Sequence, residues 1–239
     1  MQFFPALRCP TVQLFNGLEI PVLGLGTSHR GGYSHDAILY ALTECGIRHL
    51  DTAKRYGCEK KLGKAIKESG LQRSELWLTN KLWPGDYGYK AAKEACLDSC
   101  TAMGVEYFGM INVLSQSLSK YQPSVIKVEY HPFQQPKHLM EYCRNNGIVF
   151  EGFSPLAKGQ ALSDPVVQQI AKKHGRTTAQ ICLRWSIQNG VVTIPKSIKK
   201  NRIQENCQVF GFQLDEEDMV ALGNLHDGRH ISWDPTNVD

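Results

Sequence analysis

Short apolar runs alternate with stretches of helical periodicity along almost the whole chain, and this alternation limits the possible fold more than any other feature. Near-continuous apolar strands separated by helices are typical of parallel strands that helices cover on their faces. The predicted strands span residues 22–27, 46–51, 76–81, 107–113, 125–130, 148–153 and 191–194. The sequence therefore predicts an α/β fold, and an open doubly wound sheet and a closed (β/α) barrel both satisfy the pattern.

The glycines after the first apolar run separate these two folds. Gly24 and Gly26 are followed by Ser28-His29-Arg30, and no glycine comes before Gly31. The dinucleotide fingerprint G-x-G-x-x-G is therefore absent, which counts against an open Rossmann sheet. A TIM-type barrel with a phosphate site after its last strand fits better.

The elements around these strands complete the predicted order. Alternating apolar residues around Asn16-Gly17 predict a β-hairpin from Thr11 to Pro21 before the first barrel strand. The predicted helices span residues 34–45, 60–67, 89–103, 138–145, 165–174, 178–188, 201–207 and 215–225. Because the chain shows no linker, repeat or low-complexity segment, we expect a single domain over residues 1–239.

The spacing of the predicted strands is irregular after the fourth one. Only residues 114–124 separate the fourth strand from the next, whereas a parallel crossover needs about a dozen residues or more. We also find seven strands, and a (β/α) barrel closes with eight. The sequence therefore predicts an incomplete barrel that lacks about one β/α unit between Gly109 and Val125.

Composition and charge indicate a soluble, cytosolic protein. A hydrophobic fraction of 42% and a charged fraction of 21% are ordinary for a globular chain. The net charge of +4 is too mild to indicate nucleic acid, and no apolar run reaches the ~20 residues of a membrane span. The N-terminus has no signal-peptide pattern, and the eight scattered cysteines form no Cys-x-x-Cys pair. We expect a cytosolic monomer with reduced thiols and no metal site.

The stretch from Val191 to Asn206 combines an apolar strand with polar groups at a helix start. Lys196 and Ser197 follow the strand, and Arg202 lies in the helix after it. An ammonium, a hydroxyl and a guanidinium near a helix N-terminus form a phosphate site. Glu205 and Asn206 add groups that can hydrogen-bond the edge of a base. The alternative is an ordinary basic helix start, and the residues alone leave both interpretations open.

A second group of polar residues follows the second and third predicted strands. Asp51 and Tyr56 come after one strand, and Lys81 ends the next. Barrel enzymes keep their catalytic groups at these strand ends. We expect Asp51 to pair with Lys81, and an ammonium near a phenol lowers the phenol's pKa and makes it a better proton donor. A structural Asp–Lys pair beside an ordinary surface tyrosine is the alternative.

Five motifs in one order resemble those of the aldo-keto reductase family. They are D-x-A-x-x-Y-G at 51–57, Lys-Leu-Trp at 81–83, Val-Glu-Tyr-His-Pro at 128–132, Phe-Ser-Pro-Leu at 153–156, and Ile-Pro-Lys-Ser with Arg-Ile-x-Glu-Asn at 194–206. The resemblance runs from Thr11 to the C-terminus, apart from the fault before Val125. It implies a barrel enzyme that uses NADPH/NADP+ to reduce a small aldehyde or ketone to an alcohol.

The resemblance also implies roles for individual residues. Tyr56 matches the general acid, with Lys81 and Asp51 tuning it. The resemblance implies that the adenosine 2′-phosphate is held by Lys196, Ser197 and Arg202, and the adenine by Glu205 and Asn206. It implies that the nicotinamide end is contacted by Gly26 and Thr27, and the pyrophosphate side by Ser154 and Leu156. Phe153 stands where a tyrosine usually stacks on the nicotinamide, and phenylalanine keeps the aromatic face.

Three departures from the family pattern concern the nicotinamide end. The fourth strand has no catalytic histidine, the family's Ser-Asn pair after strand five is missing, and Ile126 and Lys127 replace the Asn-Gln pair that holds the carboxamide. An internally shortened reductase, such as a splice product, has this form. Three possibilities therefore stay open. The chain is an NADPH-dependent carbonyl reductase with weak or lost activity, a non-catalytic NADPH-binding protein with a regulatory role, or a poorly folded product with no function of its own.

Overall fold

The computed structural model describes residues 9–27, 32–112 and 122–232. These residues form two compact units. The first unit contains residues 9, 24–27, 32–112, 122 and 196–204, and the second contains residues 10–23, 123–195 and 205–232. In the described part of the chain, every helix is too short or too polar to cross a bilayer.

The second unit begins with the predicted hairpin. Strands β1 (Thr11–Gln13) and β2 (Glu19–Pro21) pair antiparallel, and Gly17 occupies the turn with a φ of 84°. A positive φ is easily adopted only by glycine, which explains the Asn16-Gly17 turn.

The first unit contains a four-stranded parallel sheet. Its strands, in sheet order, are β3 (Leu25–Gly26), β4 (His49–Asp51), β5 (Trp77–Lys81) and β6 (Met110–Asn112). The register pairs Gly26 with Asp51, Asp51 with Thr79, and Lys81 with Asn112. Since side chains alternate along a strand, Asp51, Lys81 and Asn112 share one face of the sheet.

Three helices connect these strands. They are α1 (His35–Thr43), α2 (Glu59–Ser69) and α3 (Tyr89–Met103). The Ser34 side chain caps α1 by accepting from the backbone N–H of Ala37. Gly63 lets α2 approach α3, because a Cβ there would lie 2.1 Å from the carbonyl oxygen of Met103.

The rest of the second unit contains a three-stranded parallel sheet and most of the remaining helices. The strands are β7 (Val125–Glu129), β8 (Val149–Phe153) and β9 (Val192–Ile194), in that order. The helices are α4 (Lys137–Asn145), α5 (Pro165–His174), α6 (Thr178–Gln188) and α8 (Glu216–Gly223), with α7 (Lys200–Cys207) beginning in the first unit. Tyr130 stacks on Trp185 at 4.9 Å between ring centroids in the core of this unit.

The structure confirms the predicted order of strands and helices. Most bounds agree within two residues, and α3 begins and ends where predicted. Three strands are shorter than predicted by three residues or more. Regular strand covers Leu25–Gly26 of the predicted residues 22–27, His49–Asp51 of residues 46–51, and Met110–Asn112 of residues 107–112, the described part of the predicted 107–113. Most of the predicted fault, residues 113–121, lies outside the described residues, and the single-domain assignment stays a prediction.

Candidate functional site

Asp51 and Lys81 form the ion pair that the sequence predicts. The Lys81 Nζ lies 2.7 Å from Asp51 Oδ1 and donates a second hydrogen bond to the carbonyl oxygen of Thr52 at 2.7 Å. The side chains of Asp51 and Lys81 are 6% and 25% exposed. The carboxylate is therefore almost enclosed, while the ammonium is partly accessible at the carboxyl end of its strand.

Tyr56 lies next to this pair. It ends a short 3₁₀ helix (Lys54–Tyr56) that follows β4, and Gly57 closes this turn with a φ of 63°. The Lys81 Nζ lies 4.9 Å from the centroid of the Tyr56 ring. The structure thus brings the three predicted catalytic residues together, whereas their roles stay predictions. Beside them, the Arg55 guanidinium stacks at 4.5 Å on the half-exposed ring of Trp83.

Gly26 and Thr27 adjoin the same strand end. Gly26 pairs with Asp51 in register, and Thr27 donates to the carbonyl oxygen of Asp51 from its backbone N–H at 2.8 Å and from its hydroxyl at 3.0 Å. Thr27 is buried. Both predicted nicotinamide-side residues are therefore fixed against the backbone of Asp51.

Asn112 ends β6, which is the fourth strand of this sheet. It pairs in register with Lys81, and its carbonyl oxygen accepts from the backbone N–H of Leu82 at 2.9 Å. Its Nδ2 is buried and makes no hydrogen bond with the described residues. Sequence analysis noted the missing histidine here and overlooked this amide. The signal was an asparagine that ends an otherwise apolar strand.

The predicted phosphate-binding residues come from one segment of the first unit. Lys196 and Ser197 are partly buried after β9, and Arg202 is exposed on α7. Burial lowers the pKa of Lys196. The Ser197 hydroxyl accepts from the backbone N–H of Lys199 at 3.1 Å, which fixes the turn into the helix. The segment offers two cations and a hydroxyl, the groups that an anion needs.

The predicted pyrophosphate-side residues begin a strained loop in the second unit. Phe153 ends β8, and the loop follows as residues 154–159. Ser154, Ala157 and Lys158 have φ values of 55°, 48° and 52°. Left-handed backbone costs a non-glycine residue about 1–2 kcal/mol, so this loop persists only because its surroundings hold it. Leu156 lies within it, partly buried.

Glu205 and Asn206, the last two predicted cofactor residues, lie near the end of α7. The carbonyl oxygen of Glu205 accepts from Gln180 Nε2 at 2.9 Å, which ties α7 to α6. Asn206 is buried and Glu205 is partly buried. The adenine contact predicted for both side chains stays a prediction.

A second lysine–carboxylate pair lies within the sheet of the second unit. Lys127 on β7 is the register partner of Glu151 on β8, and the Lys127 Nζ lies 3.0 Å from Glu151 Oε1. The side chains are 10% and 0% exposed. Lys127 is one of the residues that replace the family's amides. Sequence analysis did not foresee this pair, although a charged residue inside each of two apolar strands was the available signal.

The described residues include one group with metal-ligand chemistry. His174, Asp215 and Asp218 lie close together, but the Lys173 ammonium contacts both carboxylates, at 2.6 and 2.9 Å. Asp215 also caps α8 by accepting from the backbone N–H of Asp218. The cluster therefore joins two helices by salt bridges. The eight cysteines, all of which are described, form no disulfide.

Comparison with protein families gives a clear match. The sequence model of the aldo/keto reductase family matches residues 22–115 and 111–226. The two matched segments overlap at residues 111–115, within the predicted fault between Gly109 and Val125. They include all of the predicted catalytic and cofactor residues.

Characterised and uncharacterised oxidoreductases are similar over almost the whole chain. An uncharacterized oxidoreductase of Caenorhabditis elegans is 37% identical, with 96% of this chain and 85% of the relative covered. Glyoxal reductase of Bacillus subtilis is 35% identical, with 95% and 97% covered. The first alignment runs over 275 positions, whereas this chain has 239 residues, so the relative contains residues with no counterpart here.

Solved structures give the same result for the fold. An aldo-keto reductase from a Medee basin deep-sea metagenome library has a TM-score of 0.88 and 35% identity, covering 95% of this chain and 99% of that one. A Bombyx mori aldo-keto reductase in complex with NADP has a TM-score of 0.85 and 25% identity, covering 95% and 96%. The predicted fold class, a TIM-type barrel with parallel strands in a shortened chain, is confirmed. The chain belongs to the aldo/keto reductase family.

Proposed function

We propose that the protein is an NADPH-dependent oxidoreductase that reduces aldehydes or ketones to alcohols, with Tyr56 as the proton donor. One observation carries the proposal. The ammonium of Lys81, at the carboxyl end of its strand, lies 2.7 Å from the carboxylate of Asp51 and 4.9 Å from the centroid of the Tyr56 ring. Family membership supports oxidoreductase chemistry, and the geometry supports this site for it.

The residues fit NADPH at its adenosine-phosphate end. Lys196, Ser197 and Arg202 supply two positive charges and a hydroxyl at a helix start, and burial lowers the pKa of Lys196, which a bound anion would oppose. The Bombyx mori relative was solved with NADP. NADPH/NADP+ is therefore the cofactor, and the preference over NADH rests on these three side chains.

NADPH, when bound, would supply the hydride for the carbonyl carbon of the substrate. The Tyr56 hydroxyl donates its proton to the carbonyl oxygen, which completes the alcohol. The positive charge of Lys81 stabilises the phenolate that remains, and Asp51 keeps Lys81 in place. The phenol must lie within about 2.6–3.2 Å of the carbonyl oxygen to act.

We expect turnover to be slow. No histidine stands at the end of β6 to orient the carbonyl, because that strand ends in Asn112. Misplacement of a reacting group by about 1 Å can lower a rate by roughly a hundredfold. The rate should therefore fall below the usual ~1–10³ s⁻¹.

The substrate class is small carbonyl compounds. Two relatives are named as a glyoxal reductase and a 9,11-endoperoxide prostaglandin H2 reductase, the latter from Trypanosoma cruzi and 35% identical. Glyoxal is a dialdehyde, so the first name supports a reactive aldehyde as the probe, whereas the second names a peroxide and adds no carbonyl substrate. A monomeric state and a cytosolic location are part of the proposal.

One observation favours a second function, that of a non-catalytic NADPH-binding protein. The family's carboxamide-binding amide is replaced by Lys127, whose ammonium is held by the buried carboxylate of Glu151. A charge bound in this way cannot replace an amide that both donates and accepts. The adenosine end of the site keeps its residues in either case.

NADPH binding and turnover separate the two functions. We expect the purified chain to quench or shift NADPH fluorescence on binding and then to reduce glyoxal at a measurable rate. Tight NADPH binding with no turnover above the rate without protein would support the non-catalytic function. Absence of NADPH binding would refute both.

A further inference from the structure

Glu129 is a buried carboxylate that the proposed chemistry does not use. It ends β7, and its side chain is 2% exposed. Its oxygens accept from the backbone N–H of Ile231 at 3.0 Å and from that of Ser232 at 2.9 and 3.2 Å. Burial raises the pKa of Glu129, but the hydrogen bonds from His131, Ile231 and Ser232 outweigh burial and hold it below its usual range.

Two histidine side chains also contact the carboxylate of Glu129. His131 Nε2 lies 3.2 Å from Glu129 Oε1, and His230 Nδ1 lies 3.3 Å from Oε2. His230 Nε2 lies 2.9 Å from Gln134 Nε2, so it accepts from that amide and leaves its proton on Nδ1. We infer this tautomer from the network. In this tautomer, His230 donates to Glu129 from Nδ1.

Residues 226–232, the C-terminal tail, are docked along the segment that follows β7. The backbone N–H groups of Asp227 and Gly228 donate to the carbonyl oxygen of Phe133 at 3.1 and 3.0 Å. His226 Nδ1 accepts from the backbone N–H of Gln135 at 3.1 Å. Glu129 therefore holds the far end of a tail that is already ordered at its start.

The anchored end of the tail contacts the strained loop 154–159. The Ser154 hydroxyl lies 3.2 Å from the Ser232 hydroxyl, and the Lys158 ammonium donates to the carbonyl oxygen of Ile231. Both loop residues have positive φ. Because such backbone persists only where its surroundings hold it, these two contacts help to hold the loop.

Strand register explains why carboxylate, loop and tail meet. Glu129 is the register partner of Phe153, and the backbone N–H of Tyr130 donates to the carbonyl oxygen of Phe153 at 3.1 Å. The loop leaves β8 directly after Phe153. A tail fixed to Glu129 therefore passes over the first residues of the loop.

We propose that Glu129 is a positioning residue for cofactor binding, which anchors the C-terminal tail so that the tail holds loop 154–159 in the conformation that receives the pyrophosphate. The location of the pyrophosphate rests on the proposed function. The claim that the tail holds the loop in place depends only on the contacts between tail and loop, and it does not depend on the proposed function.

Hydrogen exchange of the whole protein without cofactor tests the hold directly. Glu129→Gln removes the charge and half of the acceptor capacity, so we expect faster exchange in residues 226–232 and also in the loop 154–159. Asp227→Asn is the matched control, because this exposed carboxylate in the same tail pairs only with Arg229 in the described contacts. Faster exchange in the tail with an unchanged loop would overturn the proposal.

Ligand binding tests the consequence. Glu129→Gln should weaken NADPH binding by about tenfold, since charge-assisted bonds that order the loop are lost. Adenosine 2′-monophosphate, which lacks the pyrophosphate, should bind wild type and variant equally. Equal loss for both ligands would indicate general destabilisation and overturn the proposal.

A second pair of variants covers the case in which Glu129→Gln folds poorly. Lys158→Met and Ser232→Ala each cut one contact between tail and loop and leave Glu129 intact. Each variant should speed hydrogen exchange of the loop 154–159 without speeding exchange of residues 226–228. Unchanged loop exchange in both variants would refute the claim that the tail holds the loop in place. If wild type binds no NADPH, the proposed function fails, whereas loop exchange in these variants still decides the role of the tail.

Discussion

Each unit contains a lysine that pairs with a carboxylate on the neighbouring parallel strand, and the two pairs differ in what surrounds them. In the first unit, Lys81 meets Asp51 at 2.7 Å, keeps 25% of its side chain exposed and lies against Tyr56. In the second unit, Lys127 meets Glu151 at 3.0 Å with only 10% and 0% of the side chains exposed.

The difference shows that the position of an ion pair along its strands determines whether substrate and a third group can reach it. Lys81 ends its strand, where a substrate can approach and a third group, the phenol, is within reach. Lys127 lies in the middle of β7, with Glu151 in the middle of β8. A buried pair is weak evidence for added stability, but loss of one partner leaves an uncompensated charge. We therefore expect the first pair to affect rate and the second to affect stability.

The largest expected effect is on the rate at the first pair. Tyr56→Phe removes the proton donor, and general acid catalysis contributes roughly 10²–10⁴-fold, so the variant should lose most of the rate of carbonyl reduction. Tyr89→Phe is the control, because this tyrosine is 86% exposed on α3. Steady-state rates with glyoxal and saturating NADPH provide the measurement, and equal rates for both variants would contradict the assignment.

The next largest effect is on stability at the second pair. Lys127→Met leaves the Glu151 carboxylate buried without its ammonium and should lower the free energy of unfolding by about 3–5 kcal/mol. The double variant Lys127→Met/Glu151→Leu should recover most of that loss. Lys81→Met should cost less, because Lys81 is partly exposed. Urea unfolding compares the three, and a larger loss for Lys81→Met would invert the comparison.

The two pairs were not equally predictable from sequence. The D-x-A-x-x-Y-G motif and the strand ending in Lys81 predicted the first pair, because motif and strand end are local features. The second pair depends on the register of β7 against β8, which the charged residue inside each strand does not reveal by itself. Lys127 was noticed only as a departure from the family, and its partner Glu151 was overlooked.

The same distinction applies to the rest of the fold. Helix α3 was predicted to the residue, since Tyr89 to Met103 has a clear period and ends before Gly104. The strand at residues 22–27 was overpredicted, because Leu23 pairs with Thr193 as an isolated bridge, outside a regular strand. The tail was uninformative in sequence, since its fixed position depends on Glu129, which lies far away along the chain.

Arg202, which is predicted to bind the 2′-phosphate, should affect cofactor affinity, whereas Lys81 should affect rate and Lys127 should affect stability. Arg202→Ala removes a charge-assisted contact of about 1.5–3 kcal/mol to the 2′-phosphate, so NADPH binding should weaken by roughly tenfold or more. NADH, which lacks that phosphate, should bind almost unchanged. Fluorescence titration with both cofactors measures this, with Lys172→Ala as an exposed control. Equal losses for NADPH and NADH would remove Arg202 from the phosphate site.

The smallest expected effect is a pH dependence at Lys196. Burial lowers the pKa of Lys196, and only the protonated amine attracts the phosphate. NADPH affinity should therefore fall as the pH rises through this lowered pKa, and NADH affinity should change less. Lys196→Arg keeps its charge, so its affinity should stay flat over the same alkaline range. A parallel decline in wild type and Lys196→Arg would place the titration elsewhere.

The most direct test of the central claim is transfer of a labelled hydride at the Tyr56 site. The protein is mixed with NADPH that carries deuterium at the transferable position and with an activated aldehyde, and the alcohol is analysed by mass spectrometry. We expect deuterium on the former carbonyl carbon of the alcohol with wild type, and almost no deuterated alcohol over the same time with Tyr56→Phe or Lys81→Met. Alcohol formation without deuterium, or equal label in all three proteins, would contradict it.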